Sequence, residues 1–136
     1  MDDLKGAAKE EVADCFMDVL EADFGKLTRQ KRKFEHTGVW HEQLPNGDVA
    51  CTQDHYAKQL QTIPTEHSEG DDVEITNTPM QTAFWSLLGG AAWMTVTRAD
   101  VAVHIGHLQR QTHKPLWKHV KQLNAVVRWM KRKPSS

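Results

Sequence analysis

Residues 84–132 read FWSLLGGAAWMTVTRADVAVHIGHLQRQTHKPLWKHVKQLNAVVRWMKR, and the period of their apolar positions sets the fold. Leu116, Val120, Leu123, Val127 and Met130 step by four and three, which lines one side of a helix with core side chains. Lys118, Lys121, Arg128, Lys131 and Arg132 fall largely off that stripe, and Pro115 suits the first turn. Upstream, Val101, Ile105, Leu108 and Thr112 keep the spacing of a second helix. Thr97 is placed as its N-cap, with Asp100 three residues on. FWSLLGGAAWM is apolar nearly throughout, with small residues that let a helix pack closely.

Working back from there, residues 64–79 (PTEHSEGDDVEITNTP) are polar, acidic and bracketed by prolines, which predicts a linker or surface loop. A short helix is expected at 54–63, with Tyr56, Leu60 and Ile63 on one side. Residues 34–53 predict a β-hairpin, with PNGD as its turn because Asn46 and Gly47 both tolerate positive φ. On that hairpin strand alternation puts His36 and His41 on opposite faces. Residues 8–24 predict a helix: Val12, Phe16, Leu20 and Phe24 fall four apart, and acids crowd the first turns. The fold class is therefore α+β, an N-terminal helix and β-hairpin followed by an α-helical lobe. The expected boundaries are 1–63, an acidic linker at 64–79, a helical lobe at 80–133 and a tail at 134–136.

Composition bounds the function classes. At 136 residues, 39% hydrophobic and 26% charged, the chain suits one domain or two small lobes around a modest core. Its first segment is acidic and lacks the apolar run of a secretory leader or membrane span, so an intracellular protein with no membrane span is expected. Cys15 and Cys51 share no close spacing, which favours reduced thiols over a disulfide framework. The net charge of −1 hides a division: residues 1–75 hold 8 Lys/Arg and 17 Asp/Glu, while 76–136 hold 9 Lys/Arg and Asp100 alone. Such asymmetry marks either a polyanion-binding lobe or two halves that attract each other.

The candidate sites follow from these segments. Asp2 and Asp3 are an adjacent carboxylate pair suited to Mg²⁺, although two-metal chemistry needs a further carboxylate, and a frayed acidic terminus is the plainer reading. His104 and His107 are three apart on a predicted helix, with no Cys or carboxylate pattern to complete a zinc site. Lys114, Lys118, Lys121, Arg128, Lys131 and Arg132, with Trp117 and Trp129 interleaved, are candidates for contact with a nucleic-acid backbone; the alternative is a solvated face over a tryptophan-filled core.

Phe84, Ser86, Leu87, Gly89, Thr97, Arg98, Asp100, Leu108, His113, Pro115, Arg128 and Lys131 stand in one ordered, gap-poor pattern. That pattern resembles the thumb and connection part of copia-type retrotransposon reverse transcriptases, within a retrovirus-related Pol polyprotein. Asp2-Asp3, Gly6, the helix to Phe24, Phe34 with Gly38 and Val39, Asn46-Gly47, and Gln53 with Tyr56 then resemble the family's metal-binding pair and the elements that follow it. The resemblance spans nearly the whole chain and is weakest at 64–79. It implies that Asp2 stands where a catalytic Mg²⁺ ligand stands, with Asp3 its neighbour. It also implies that Gly38, Val39, Trp40 and His41 resemble a primer grip, and that the helices from 80 onward resemble a thumb holding a primer–template duplex. The family's fingers and first palm strands, with another catalytic Asp, and its RNase H region have no counterpart in this sequence.

A paired aspartate without its third ligand cannot clamp two metals. The expectation is thus a reverse-transcriptase remnant with no polymerase activity and no cofactor of its own, retaining affinity for an RNA/DNA duplex. A different class of function is a reused fragment serving as a structural subunit of a larger protein assembly. A third reading is a reading-frame relic with no selected role.

Overall fold

The acid-rich N-terminal segment forms helix α1 (Glu10–Phe24) in the computed structural model, which describes residues 3–134. Glu10 and Glu11 occupy the first turn, where the helix dipole favours negative charge. Gly25 ends the helix at φ 87°, its N–H donating to the Glu21 carbonyl at 2.9 Å. The loop behind it turns back along the acidic side. Arg29 meets Asp18 at 2.8 Å and Glu21 at 3.0 Å, and Lys31 meets Asp14 at 2.6 Å. The apolar stripe does not become core: no residue of α1 is buried, and Val12, Phe16 and Phe24 are each more than half exposed.

Strands β1 (Lys33–His36), β2 (Val39–Gln43) and β3 (Val49–Thr52) form a three-stranded sheet in the order β1-β2-β3. One hairpin was expected across 34–53; the chain reverses twice. The first reversal is a tight turn at Thr37 and Gly38, with φ 52° and 81°. It pairs His36 with Val39 and Phe34 with His41 in antiparallel register. That register overturns the expected separation of the two histidines, because the turn brings His41 back opposite Phe34, on the same side as His36. Their ring centroids are 6.5 Å apart. The second reversal lies at PNGD, as expected, but in a different form. The Gly47 N–H donates to the Leu44 carbonyl at 2.9 Å, and only Gly47 takes positive φ. Pro45 presets the first corner at negative φ, so Asn46 follows in a right-handed turn and Gly47 supplies the left-handed residue.

The chain divides into two compact units, Met1–Cys51 and Thr52–Ser136. The second unit contains α2 (Asp54–Gln59), α3 (Thr78–Met94), a 3₁₀ turn at Ala99–Val101, α4 (Ala102–Gln109) and α5 (Trp117–Arg132). The architecture is α+β. The expected stripes pack here: Val120, Leu123, Val127 and Met130 from α5 bury against Val101, Ile105 and Leu108, and against Phe84, Leu87, Leu88, Ala91 and Met94 of α3. Asn77 caps α3 by accepting from the Met80 N–H. Thr97 is not the cap expected for the next helix. Its hydroxyl donates to the Oε1 of Gln53 at 2.8 Å, and Gln53 is fully buried.

The 64–79 segment is packed rather than free. Ile75 is 1% exposed, its N–H donates to the Pro115 carbonyl, and Glu74 bridges Leu116. Pro115 precedes the first turn of α5 instead of lying in it, which leaves its carbonyl available for that bond.

Candidate nucleic-acid interface

Helix α5 carries no Asp or Glu. Lys118, Lys121, Ala125, Arg128 and Arg132 recur three, four, three and four apart, so they share one face, opposite the buried Val120, Leu123 and Val127. From Lys118 to Arg132 this cationic rail runs about 21 Å at 1.5 Å per residue. Lys121, Arg128, Lys131 and Arg132 are exposed, Lys118 is half-buried, and Lys114 is exposed just ahead of the helix. Lys131 lies to one side of the rail. Arg128, Lys131, Arg132 and Lys114 make no ion pair with a described residue, whereas Lys118 reaches Asp72 at 3.0 Å and Lys121 reaches Asp71 at 2.5 Å.

The two tryptophans separate. Trp117 is 6% exposed and belongs to the core, so it is not available for stacking on a base. Trp129 is exposed, its indole N–H donates to Asp100 Oδ2 at 3.0 Å, and the Lys133 ammonium lies 5.4 Å from its ring centroid.

Both ends of α5 are held. At its start, His119 Nδ1 accepts the Leu116 N–H at 3.0 Å, while the Trp117 and Lys118 N–H groups donate to the Val73 and Asp71 carbonyls. At its end the Arg98 guanidinium, almost fully buried, donates to the carbonyls of Met130 and Lys133, a cation at the negative end of the helix dipole. Arg98 also grips Asp100 through two bonds, of 2.9 and 2.7 Å. That grip, followed by the Trp129 indole, holds the Asp100 carboxyl well below the usual carboxylate range, and Asp100 in turn raises Arg98. Burial pushes His119 down, with the charge of Lys118 and the nearby His107 adding to it. His107 and His119 are ring neighbours at 6.5 Å, so the spacing of His104 and His107 leads to a different partner from the one it suggested.

The N-terminal candidates fare differently. Asp2 lies outside the described residues, and Asp3 is exposed. Among the described residues, no group of three His, Cys, Asp or Glu side chains is placed to hold a metal ion. Gly38 is the second residue of the tight turn, Val39 and His41 are buried, and Trp40 is half-buried opposite Glu35. Both ring nitrogens of His41 are engaged. Nδ1 sits 3.0 Å from the Val39 carbonyl, which can only accept, so it carries the hydrogen. Nε2 is left to accept from the Lys5 ammonium at 3.0 Å, and Phe34 stacks on the ring at 5.1 Å.

Sequence reasoning missed Asp71 and Asp72 as partners of the basic face. The available signal was the placement of 17 of the 18 acids before residue 76, while 9 of the 17 bases follow it. No helix of the described residues is long and apolar enough to cross a membrane. No protein-family model matches the chain, and neither does a curated protein or a solved structure.

Proposed function

We propose that this chain binds an RNA/DNA duplex along the exposed face of α5, as a thumb-like remnant of a copia-type reverse transcriptase without polymerase activity of its own. The observation that supports this reading is the acid-free helix whose basic residues fall on one face while its apolar residues fill the core. Cations spaced along about 21 Å suit successive phosphates, and phosphate contact positions a duplex without reading its sequence. Arg128 and Arg132 at the C-terminal half of the rail, with Lys131 beside it and Lys114 ahead of it, are the groups free to make such contacts.

Fluorescence anisotropy with a labelled RNA–DNA hybrid tests this. Log affinity is expected to fall linearly with log salt, by roughly 0.9 for each phosphate engaged. Arg128→Glu/Arg132→Glu is expected to weaken binding at least about tenfold at low salt, since each lost contact removes a released counterion. The same sample supplied with Mg²⁺ and deoxynucleotides is expected to leave the primer unextended. Binding that ignores salt, or that survives the double reversal, overturns the reading.

A second reading has its own support in the exposed apolar side chains of α1: Val12, Phe16, Val19 and Phe24. Apolar groups repeated on one helix suit a protein partner. Co-purification of a stoichiometric protein, with no affinity for the hybrid, favours a structural subunit over a nucleic-acid binder.

A further inference from the structure

We infer that the acidic segment around Asp71 and Asp72 is a built-in competitor for the phosphate sites of α5, so that the duplex affinity proposed above is self-limited. The inference rests on that reading and concerns how the same face is regulated.

The geometry has two layers. The backbone of the segment is pinned to the start of α5. The Lys118 N–H donates to the Asp71 carbonyl at 2.9 Å, the Trp117 N–H to the Val73 carbonyl at 3.1 Å, and the Ile75 N–H to the Pro115 carbonyl at 2.9 Å. Ile75 is buried in the core beneath them, so the strap cannot drift away. Its carboxylates are not pinned. Asp72 is 85% and Asp71 64% exposed at the side chain, and each holds one rail lysine, Lys118 and Lys121 respectively. Two carboxylates one residue apart thus occupy two cations one helical turn apart, as adjoining phosphates would.

The energetics suit a brake rather than a lock. An exposed ion pair is weak because water screens it, so a polyanion can displace both carboxylates without unfolding the strap. Yet the tether keeps the carboxylates at high local concentration, so an incoming phosphate always meets an occupied lysine. The rail is then divided. Lys118 and Lys121 are internally neutralised, while Arg128 and Arg132, with Lys131 beside them, stay open, and binding begins at the C-terminal half of α5.

The test compares the full chain with Asp71→Asn/Asp72→Asn and with Glu66→Gln/Glu69→Gln, using a labelled RNA–DNA hybrid across a salt series. Both doubles change net charge equally, but Glu66 and Glu69 are exposed and pair with no described residue. The strap variant is expected to bind about three- to thirtyfold more tightly at low salt and to gain about two in the steepness of log affinity against log salt, one for each freed lysine. The Glu66/Glu69 variant is expected to shift affinity little. Adding Lys118→Gln/Lys121→Gln to the strap variant is expected to cancel the gain, and thermal melting confirms that each variant folds. Equal gains in both doubles, or an unchanged slope in the strap variant, overturn the competitor while leaving duplex binding intact. An absence of binding by every protein overturns the proposed function and this inference together.

Discussion

Asn124 shows how one polar side chain can organise a core. It is 2% exposed on α5, and its amide makes two bonds to one residue: Oδ1 accepts the Ile63 N–H at 2.8 Å, and Nδ2 donates to the Ile63 carbonyl at 2.8 Å. Ile63 is itself buried and lies in irregular chain, where no strand or helix supplies those bonds. Asn124→Ala therefore strands a buried donor and a buried acceptor, and is expected to destabilise the second unit by about 2–4 kcal/mol in urea unfolding. Asn124→Asp keeps the shape but faces the Ile63 carbonyl with an oxygen, so it too is expected to lower the urea midpoint. Neither role was legible in the sequence. Asn124 falls beside the apolar stripe of its helix, where a polar residue ordinarily meets water, and its partner is 61 residues away.

At the scale of elements, α3 offers a controlled comparison between neighbours. Gly89 and Gly90 both lie inside the helix, where glycine costs about 0.5–1 kcal/mol relative to alanine. A Cβ on Gly89 meets nothing within 4 Å, but one on Gly90 lies 2.8 Å from a Leu60 methyl and 3.2 Å from the Tyr56 hydroxyl. Gly89→Ala is expected to raise the melting temperature by a few degrees. Gly90→Ala is expected to melt below Gly89→Ala, because the chain around α2 must shift to admit the methyl; equal gains contradict that close approach. The existence of this helix was readable from its apolar run, and α1 and α5 from their periods. The turns were harder. Thr37-Gly38 has none of the usual Asn-Gly or Asp-Gly chemistry, so the extra reversal in the sheet was invisible, and with it the shared face of His36 and His41.

For the molecule as a whole, acidity is the expected lever on the second unit. His119 is depressed below the ordinary histidine value chiefly by burial, so it is neutral in the fold and takes a proton more readily once unfolded. Stability from this group is complete above about pH 6.5 and is lost as pH falls below it, by at most about 1.4 kcal/mol per pH unit for one proton. The structural cause is that Nδ1 must stay unprotonated to accept the Leu116 N–H, with Lys118 and His107 facing the ring. Denaturation midpoints at pH 7.5 and 5.5 check this: the wild type is expected to lose stability between them, and His119→Gln to lose less. Asp100, held low by Arg98, adds a second loss only below the ordinary carboxylate range, with the same sign.

The sequence alone determined where helices form, because a period of 3.6 is a local property that any window of residues displays. It determined the α+β class and the helix positions that carry the core and the rail. Tertiary structure alone decided which charges are free, since Asp71 and Lys121 are 50 residues apart and meet only when the 71–75 strap lies against α5. It also decided that Trp117 is core and Trp129 surface, and that α1 keeps its apolar side in water. Those outcomes depend on what each face packs against, and no local pattern encodes the neighbour.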